Sequence, residues 1–97
     1  MMMRYVLSPR AQSDLGEIWD YTVQNWSVEQ AESYVRAIWS AIDRIADNPG
    51  RGRPCDDVRP GYFKFASGSH ILFYRQISGG IDVVRILHKR MDFDRHL

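Results

Sequence analysis

An α+β fold in the order β-α-α-β-β-β, with a helical hairpin packed on one face of a mostly antiparallel sheet, follows from three observations. Residues 9–25 and 28–47 carry apolar side chains at helical spacing behind capping signals. Residues 69–77 and 81–87 are rich in Ile, Val, Phe and Tyr and are separated by Ser78-Gly79-Gly80, which predicts a tight antiparallel hairpin. A short apolar segment at 4–7 precedes the helices and predicts a first strand, inserted in the sheet or placed at its edge.

Each element has its own reason. Ser8-Pro9 supplies an N-cap followed by proline at the first helical position, where its missing N–H costs nothing. Ala11, Leu15, Ile18, Trp19, Thr22 and Trp26 form the stripe of the first helix, and Asp14, Glu17 and Asp20 are read as lying off it. Ser27 and Gln30 form a capping box, with Trp26 expected to staple onto the next turn. The second helix presents Ala31, Tyr34, Val35, Ile38, Ala41, Ile42 and Ile45 on one face and stops at Asn48-Pro49-Gly50. Trp19, Ile38 and Ile42 are expected core residues. Residues 51–57, RGRPCDD, read as a loop without regular structure; strand character resumes at 62–66 behind Pro60-Gly61, a strand entry or bulge. In the hairpin, Ile71, Phe73, Arg75 and Ile77 alternate with His70, Leu72, Tyr74 and Gln76, so both faces are largely apolar. Such strands are either covered twice or await a partner.

Composition narrows the function. The 97 residues fit a single domain spanning 1–97. The hydrophobic fraction of 44% and charged fraction of 26% are those of a globular chain, and no apolar run approaches the ~18 residues of a membrane helix. With one cysteine and no signal-peptide pattern at its start, the chain is expected in a reducing cytoplasm. Residues 8–49 hold three Arg against seven Asp or Glu, or −4, while the rest hold ten Lys or Arg against five Asp, or +5, which together give the net +1. An anionic partner would therefore meet the sheet half, although a pI near 7.9 is too mild for a general nucleic-acid binder.

Catalytic signals are sparse. His70, His88, His96 and Cys55 show neither the i,i+4 nor the C-x-x-C spacing of a metal site, and neither a phosphate-binding glycine loop nor a G-x-S-x-G is present. His88 ends a strand beside Arg85, Lys89 and Arg90, the company a general acid or base keeps when cutting a phosphodiester; the plainer reading is a strand-end histidine on a basic surface.

The segments Y-x-L-S-P-x-A-x-x-D-L-x-E-I-W-D-Y (5–21), Q-A-E-x-Y (30–34), N-P-x-x-G-R (48–53), R-x-G-Y (59–62), S-H-x-x-F-Y-R (69–75) and I-x-x-V-R-I-L-H-x-R-M-D (81–92) together resemble the ParE toxins of bacterial type II toxin–antitoxin systems. The resemblance covers almost the whole chain. It implies the ParE/RelE-like fold, a ParD-type antitoxin in a cytoplasmic hetero-oligomer and inhibition of DNA gyrase; neither cofactor nor metal is expected. From the apolar runs and the mild pI, no membrane and no direct sequence-specific nucleic-acid contact are expected. The basic exit Arg85, His88, Lys89 and Arg90 is then the target-contact candidate. Tyr62, Phe63, Phe65, Leu72 and Tyr74 are the antitoxin-contact candidates, because a tail that folds on the toxin covers apolar sheet. The alternative is the RelE-type branch, which cuts mRNA on the ribosome. Arg59, Arg75, Arg85 and His88 would be its residues here, but the C-terminal tyrosine of several such nucleases has no counterpart, since no tyrosine follows Tyr74. The plainer reading of Arg75 and Arg85 pairs each with Asp82 or with a helix carboxylate.

Overall fold

The computed structural model describes residues 4–97. Its elements are β1 (Tyr5–Leu7), α1 (Pro9–Asn25), α2 (Val28–Asp47), β2 (Arg53–Pro54), β3 (Tyr62–Ser67), β4 (His70–Ile77), β5 (Gly80–His88) and α3 (Phe93–His96), with one 3-10 turn at Pro49–Arg51. The sheet order is β1-β5-β4-β3-β2, antiparallel except for the parallel β1–β5 pair, so the predicted hairpin is central and β1 is an edge strand. The expected α+β architecture is present, enlarged by β2 and α3. The segment after α2 is more regular than expected, because Arg53 and Pro54 pair with Lys64 and Phe63.

Both helix starts follow from their caps. The Ser8 hydroxyl accepts from the Ala11 N–H at 3.0 Å, and the Ser27 hydroxyl accepts from the Gln30 N–H at 3.0 Å. Ser8 also donates to the Val84 carbonyl at 2.6 Å, so a single side chain both starts α1 and satisfies the edge of β5 just beyond the end of β1. Gly80 allows β1 to enter the sheet: a Cβ there would lie 1.9 Å from the Arg4 carbonyl oxygen, which accepts from Ile81 N–H at 3.0 Å.

The main core lies between the helices and one sheet face, where Ala11, Ile18, Ile38, Ala41, Ile42 and Ile45 meet Leu72, Tyr74, Ile81, Val83 and Ile86. The opposite face is also covered. Phe73, Leu87 and Cys55 are buried there beneath Val58, Tyr62, Ile71, Phe93 and Leu97, with Phe73 and Phe93 edge to face at 4.8 Å. Of the two alternatives for a strand apolar on both sides, double covering is the one realised, and the second cover consists of the 55–62 loop and α3.

Three helix-face expectations need correction. Trp19 is only half-buried and lies outside the main core, while Trp26 is 72% exposed and does not staple α2. Asp14, read as off the stripe, is 6% exposed. It sits three residues after Ala11 and four before Ile18, which places it on the buried face.

Candidate functional site

The basic exit begins at a bulge. Phe73 pairs with Arg85 but Tyr74 pairs with Val83, leaving Val84 as the additional residue on β5. Beyond this bulge Arg85 faces the Asp14 carboxylate in a two-point contact, Nε to Oδ2 at 2.9 Å and Nη2 to Oδ1 at 2.9 Å. Its Nη1 donates to the His96 carbonyl at 2.8 Å, and Asp14 Oδ2 also accepts from Ile86 N–H at 2.9 Å. Hydrogen bonding to Asp14 holds the guanidinium charged above its ordinary range, outweighing the opposite pull of burial. Arg85 is therefore not an exposed contact: its side chain is 13% accessible and its role is to lock α1, β5 and α3 together. Pairing with a helix carboxylate is the arrangement found. Lys89 and Arg90 remain exposed in the following turn, and His88 is half-buried, its Nδ1 accepting from Arg90 N–H at 3.1 Å.

The other cationic candidates are dispersed. Arg75 Nε donates to Asp82 Oδ2 at 3.0 Å. Arg59 donates to the Val58 carbonyl at 2.8 Å and to that of Asp94 at 3.4 Å. His88 is opposed to His70 and Arg75 to Asp82, so His88 and Arg75 are separated by five residues of β4, or roughly 16 Å of strand. A general acid and a phosphate-holding arginine must converge within hydrogen-bond reach of one phosphodiester. Arg85 and His88 line one groove, but Arg85 is engaged by Asp14 and Arg75 lies far along β4, so the four nuclease candidates do not converge on one point.

The antitoxin-contact candidates divide between faces and depths. Leu72 and Tyr74 are fully buried against the helices and offer no surface, a correction that follows from their period-2 position on the main-core face. Tyr74 is spent internally: its hydroxyl donates to the Pro49 carbonyl at 2.7 Å and accepts from Gly52 N–H at 2.9 Å, anchoring the 49–52 segment. Burial pushes its pKa up, opposed by the Gly52 hydrogen bond. Phe63 stacks on Tyr74 at 5.5 Å and Phe65 lies under Arg44 at 5.8 Å, both half-buried on the helix side, whereas Tyr62 packs on the opposite face. Near Phe65 an open groove of about 370 Å³ is lined by Arg51, Gly52, Arg53, Lys64, Ala66 and Ile71.

A second groove, of about 330 Å³, runs between α1 and the beginning of β4, bounded by Glu17, Ile18, Tyr21, Thr22, His70 and His88. Sequence reading left His70 and Tyr34 without a role, although S-H at the start of a strand and a tyrosine on the apolar face of α2 are visible in it. The Tyr34 hydroxyl lies 2.6 Å from His70 Nδ1 and accepts from Ser69 N–H at 2.9 Å. His70 and His88 meet edge to face at 5.2 Å. Burial, and then the neighbouring His88, pull His70 down to about 4, so it is neutral at pH 7. Among the described residues no cluster of three or more His, Cys, Asp or Glu is placed to hold a metal ion, and no helix is long and apolar enough to cross a membrane.

Comparison with known proteins adds a family. Residues 5–93 match a family model described as the ParE toxin of type II toxin-antitoxin system, parDE. The chain is 59% identical over 98 aligned positions to "Toxin ParE1" of Mycobacterium tuberculosis (strain H37Rv), covering 100% of both chains. It is 45% identical over 96 positions to "Toxin ParE1" of Caulobacter vibrioides, covering 99% of each. A solved structure of the "Chromosomal ParDE TA system from P. aeruginosa" shares the fold, with a TM-score of 0.79 at 23% identity over 90% of this chain and 96% of that one.

Proposed function

Since the chain belongs to the ParE toxin family of parDE type II toxin–antitoxin systems, we propose that it is neutralised by a ParD-type antitoxin in the cytoplasm and, when released, inhibits DNA gyrase through a protein surface rather than by cutting RNA. The engagement of Arg85 by Asp14 and the separation of Arg75 from His88 carry this reading. Arg85 is neutralised by Asp14, Arg75 by Asp82, and His88 stands at the other end of β4 from Arg75. Held by both carboxylate oxygens of Asp14, Arg85 is not free to take up the negative charge that develops on a scissile phosphodiester.

The target contact is assigned to the exposed turn of Lys89 and Arg90 beside His88, because these cations have no internal partner among the described residues and stand on the basic half of the chain. The antitoxin contact is assigned to the β2–β3 edge, where Phe65 and Ala66 are interleaved with Arg51, Arg53 and Lys64. Such a groove suits an extended segment that brings apolar side chains and carboxylates together.

The test compares the wild-type chain with Lys89→Ala/Arg90→Ala and His88→Ala in two assays, supercoiling by purified gyrase and mRNA cleavage on purified ribosomes. Supercoiling should be inhibited by the wild-type chain and about tenfold less by the double variant, in keeping with the loss of ~1–2 kcal/mol at an electrostatic contact. Ribosome-dependent cleavage that disappears in His88→Ala, with supercoiling untouched, would overturn the proposal.

A further inference from the structure

The groove between α1 and the start of β4 contains a group of polar contacts that adjoins the turn assigned to the target and has no part in the antitoxin surface. Tyr34 projects from α2, His70 opens β4, and His88 closes β5 directly opposite it. Ser69 joins them from both sides: its N–H donates to the Tyr34 hydroxyl at 2.9 Å, and its carbonyl accepts from Lys89 N–H at 3.0 Å. The preceding Gly68 holds φ at +59°, and a Cβ there would lie 2.8 Å from the Tyr34 ring, so the β3–β4 turn is closed tightly on this tyrosine.

Proton positions follow from the partners. Ser69 N–H can only donate, so it occupies one lone pair of the Tyr34 oxygen, and Arg90 N–H can only donate to His88 Nδ1. The arrangement that satisfies neutral His70 has Tyr34 O–H donating to Nδ1, with the ring proton on Nε2. A second proton on His70 would turn Nδ1 into a donor. Tyr34 would then have to accept from both Ser69 and His70 while its own O–H lost its acceptor, and a positive charge would appear in edge contact with His88.

We propose that Tyr34, His70 and His88 form a proton-sensitive latch that holds α2 to the β3–β4 turn, and through Ser69 to the Lys89–Arg90 turn, and that acid opens it. The groups facing His70 set its range. From α1 these are Glu17 and Tyr21, together with Asp14, which favours the protonated form but is engaged by Arg85; from α2, Tyr34; from β5, His88 and the paired Arg85, followed by Lys89 and Arg90. His70 is lowered relative to its ordinary 6.5, so the latch is complete above about pH 6.5 and weakens as pH falls toward 4. The latch does not depend on the identity of the target, because it is measured on the chain alone.

The experiment follows the Ser69 amide by hydrogen exchange and the imidazole nitrogens by NMR, in the wild-type chain and in His70→Asn, whose side-chain oxygen can stand in for Nδ1 without titrating. Between pH 7 and pH 5 the protection factor of the Ser69 amide should fall about tenfold in the wild type and stay within about twofold in His70→Asn, from proton linkage at a half-exposed site. The wild-type spectrum at pH 7 should show Nδ1 of His70 unprotonated. A His70 that titrates near its ordinary value, or equal loss of Ser69 protection in both chains, would overturn the latch. If His70→Asn proves poorly folded, Tyr34→Phe serves in its place: it removes the hydroxyl, and Ser69 protection should then be low at both pH values, whereas retained protection overturns the proposal.

Discussion

At the scale of single residues, Asp14 and Arg85 show how a charge can be structural. Their side chains are 7% and 13% accessible, so both ions are largely withdrawn from water, and each is stabilised by the other and by a backbone group, Ile86 N–H for Asp14 and His96 carbonyl for Arg85. Removing one partner leaves the other buried and uncompensated, which costs far more than an exposed ion pair contributes. Asp14→Ala is therefore expected to destabilise the chain by about 3–5 kcal/mol in urea unfolding, the range for one partner of a buried pair. The same substitution at Asp43, paired with Arg4 on the surface, should cost less than about 1 kcal/mol. Similar small losses at both positions would show that the Asp14–Arg85 contact holds nothing. The pair was partly legible in the sequence: a helix carboxylate was a stated partner for Arg85. What hid the choice of Asp14 was the habit of assigning carboxylates to the solvent face, although its spacing from Ala11 and Ile18 already placed it inside.

At the scale of elements, local signals and observed structure agree wherever the signal is a backbone requirement. Ser8 and Ser27 cap as their positions demand, and Gly79 takes φ of 82° in the central hairpin. The apolar stripe of α2 is buried at Ala31, Ile38, Ala41, Ile42 and Ile45, with Tyr34 and Val35 half-buried between them. Ile38 is at its centre with no exposed surface, so Ile38→Ala should cost about 2–4 kcal/mol through lost contacts and a residual cavity. Exposed Glu17→Ala should stay within about 0.5 kcal/mol; equal losses for the two, measured by the same denaturant midpoint, would contradict the helix packing. The aromatic residues of α1 were harder to place. Trp19 and Trp26 are apolar and near the stripe, but helix spacing specifies only an angle around the axis. Whether a neighbouring element reaches far enough to cover that angle is decided by tertiary packing. The two-residue β2 was invisible for a related reason, since Arg53 and Pro54 have little strand preference and owe their conformation to pairing with Lys64 and Phe63.

For the whole molecule, the consequential fact is that the sheet is covered on both faces by unequal means. The helix side is a broad core of Ile, Ala, Val and Leu, while the other side depends on a loop and a helix of four residues. Period-2 alternation in β4 made the two apolar faces legible, but nothing in the sequence of 91–97 identified it as the cover, because so short a helix has almost no stability of its own. Its order must come from Phe93 against Phe73, from Leu97 in the same cluster and from the Arg85 hydrogen bond to His96. Deleting residues 92–97 should therefore uncover Phe73 and Leu87 without disturbing Ile38 and its neighbours. The lost apolar burial of Phe93 and Leu97 is worth about 1–3 kcal/mol, which for a domain of this size lowers the thermal midpoint by roughly 5–15 °C. The shortened chain should keep its far-ultraviolet circular dichroism and bind an apolar-surface dye that the intact chain binds weakly. Phe93→Ala should reproduce part of both changes. An unchanged midpoint and unchanged dye binding in the shortened chain would mean that the 55–62 loop covers this face alone, and that α3 contributes nothing to closing the fold.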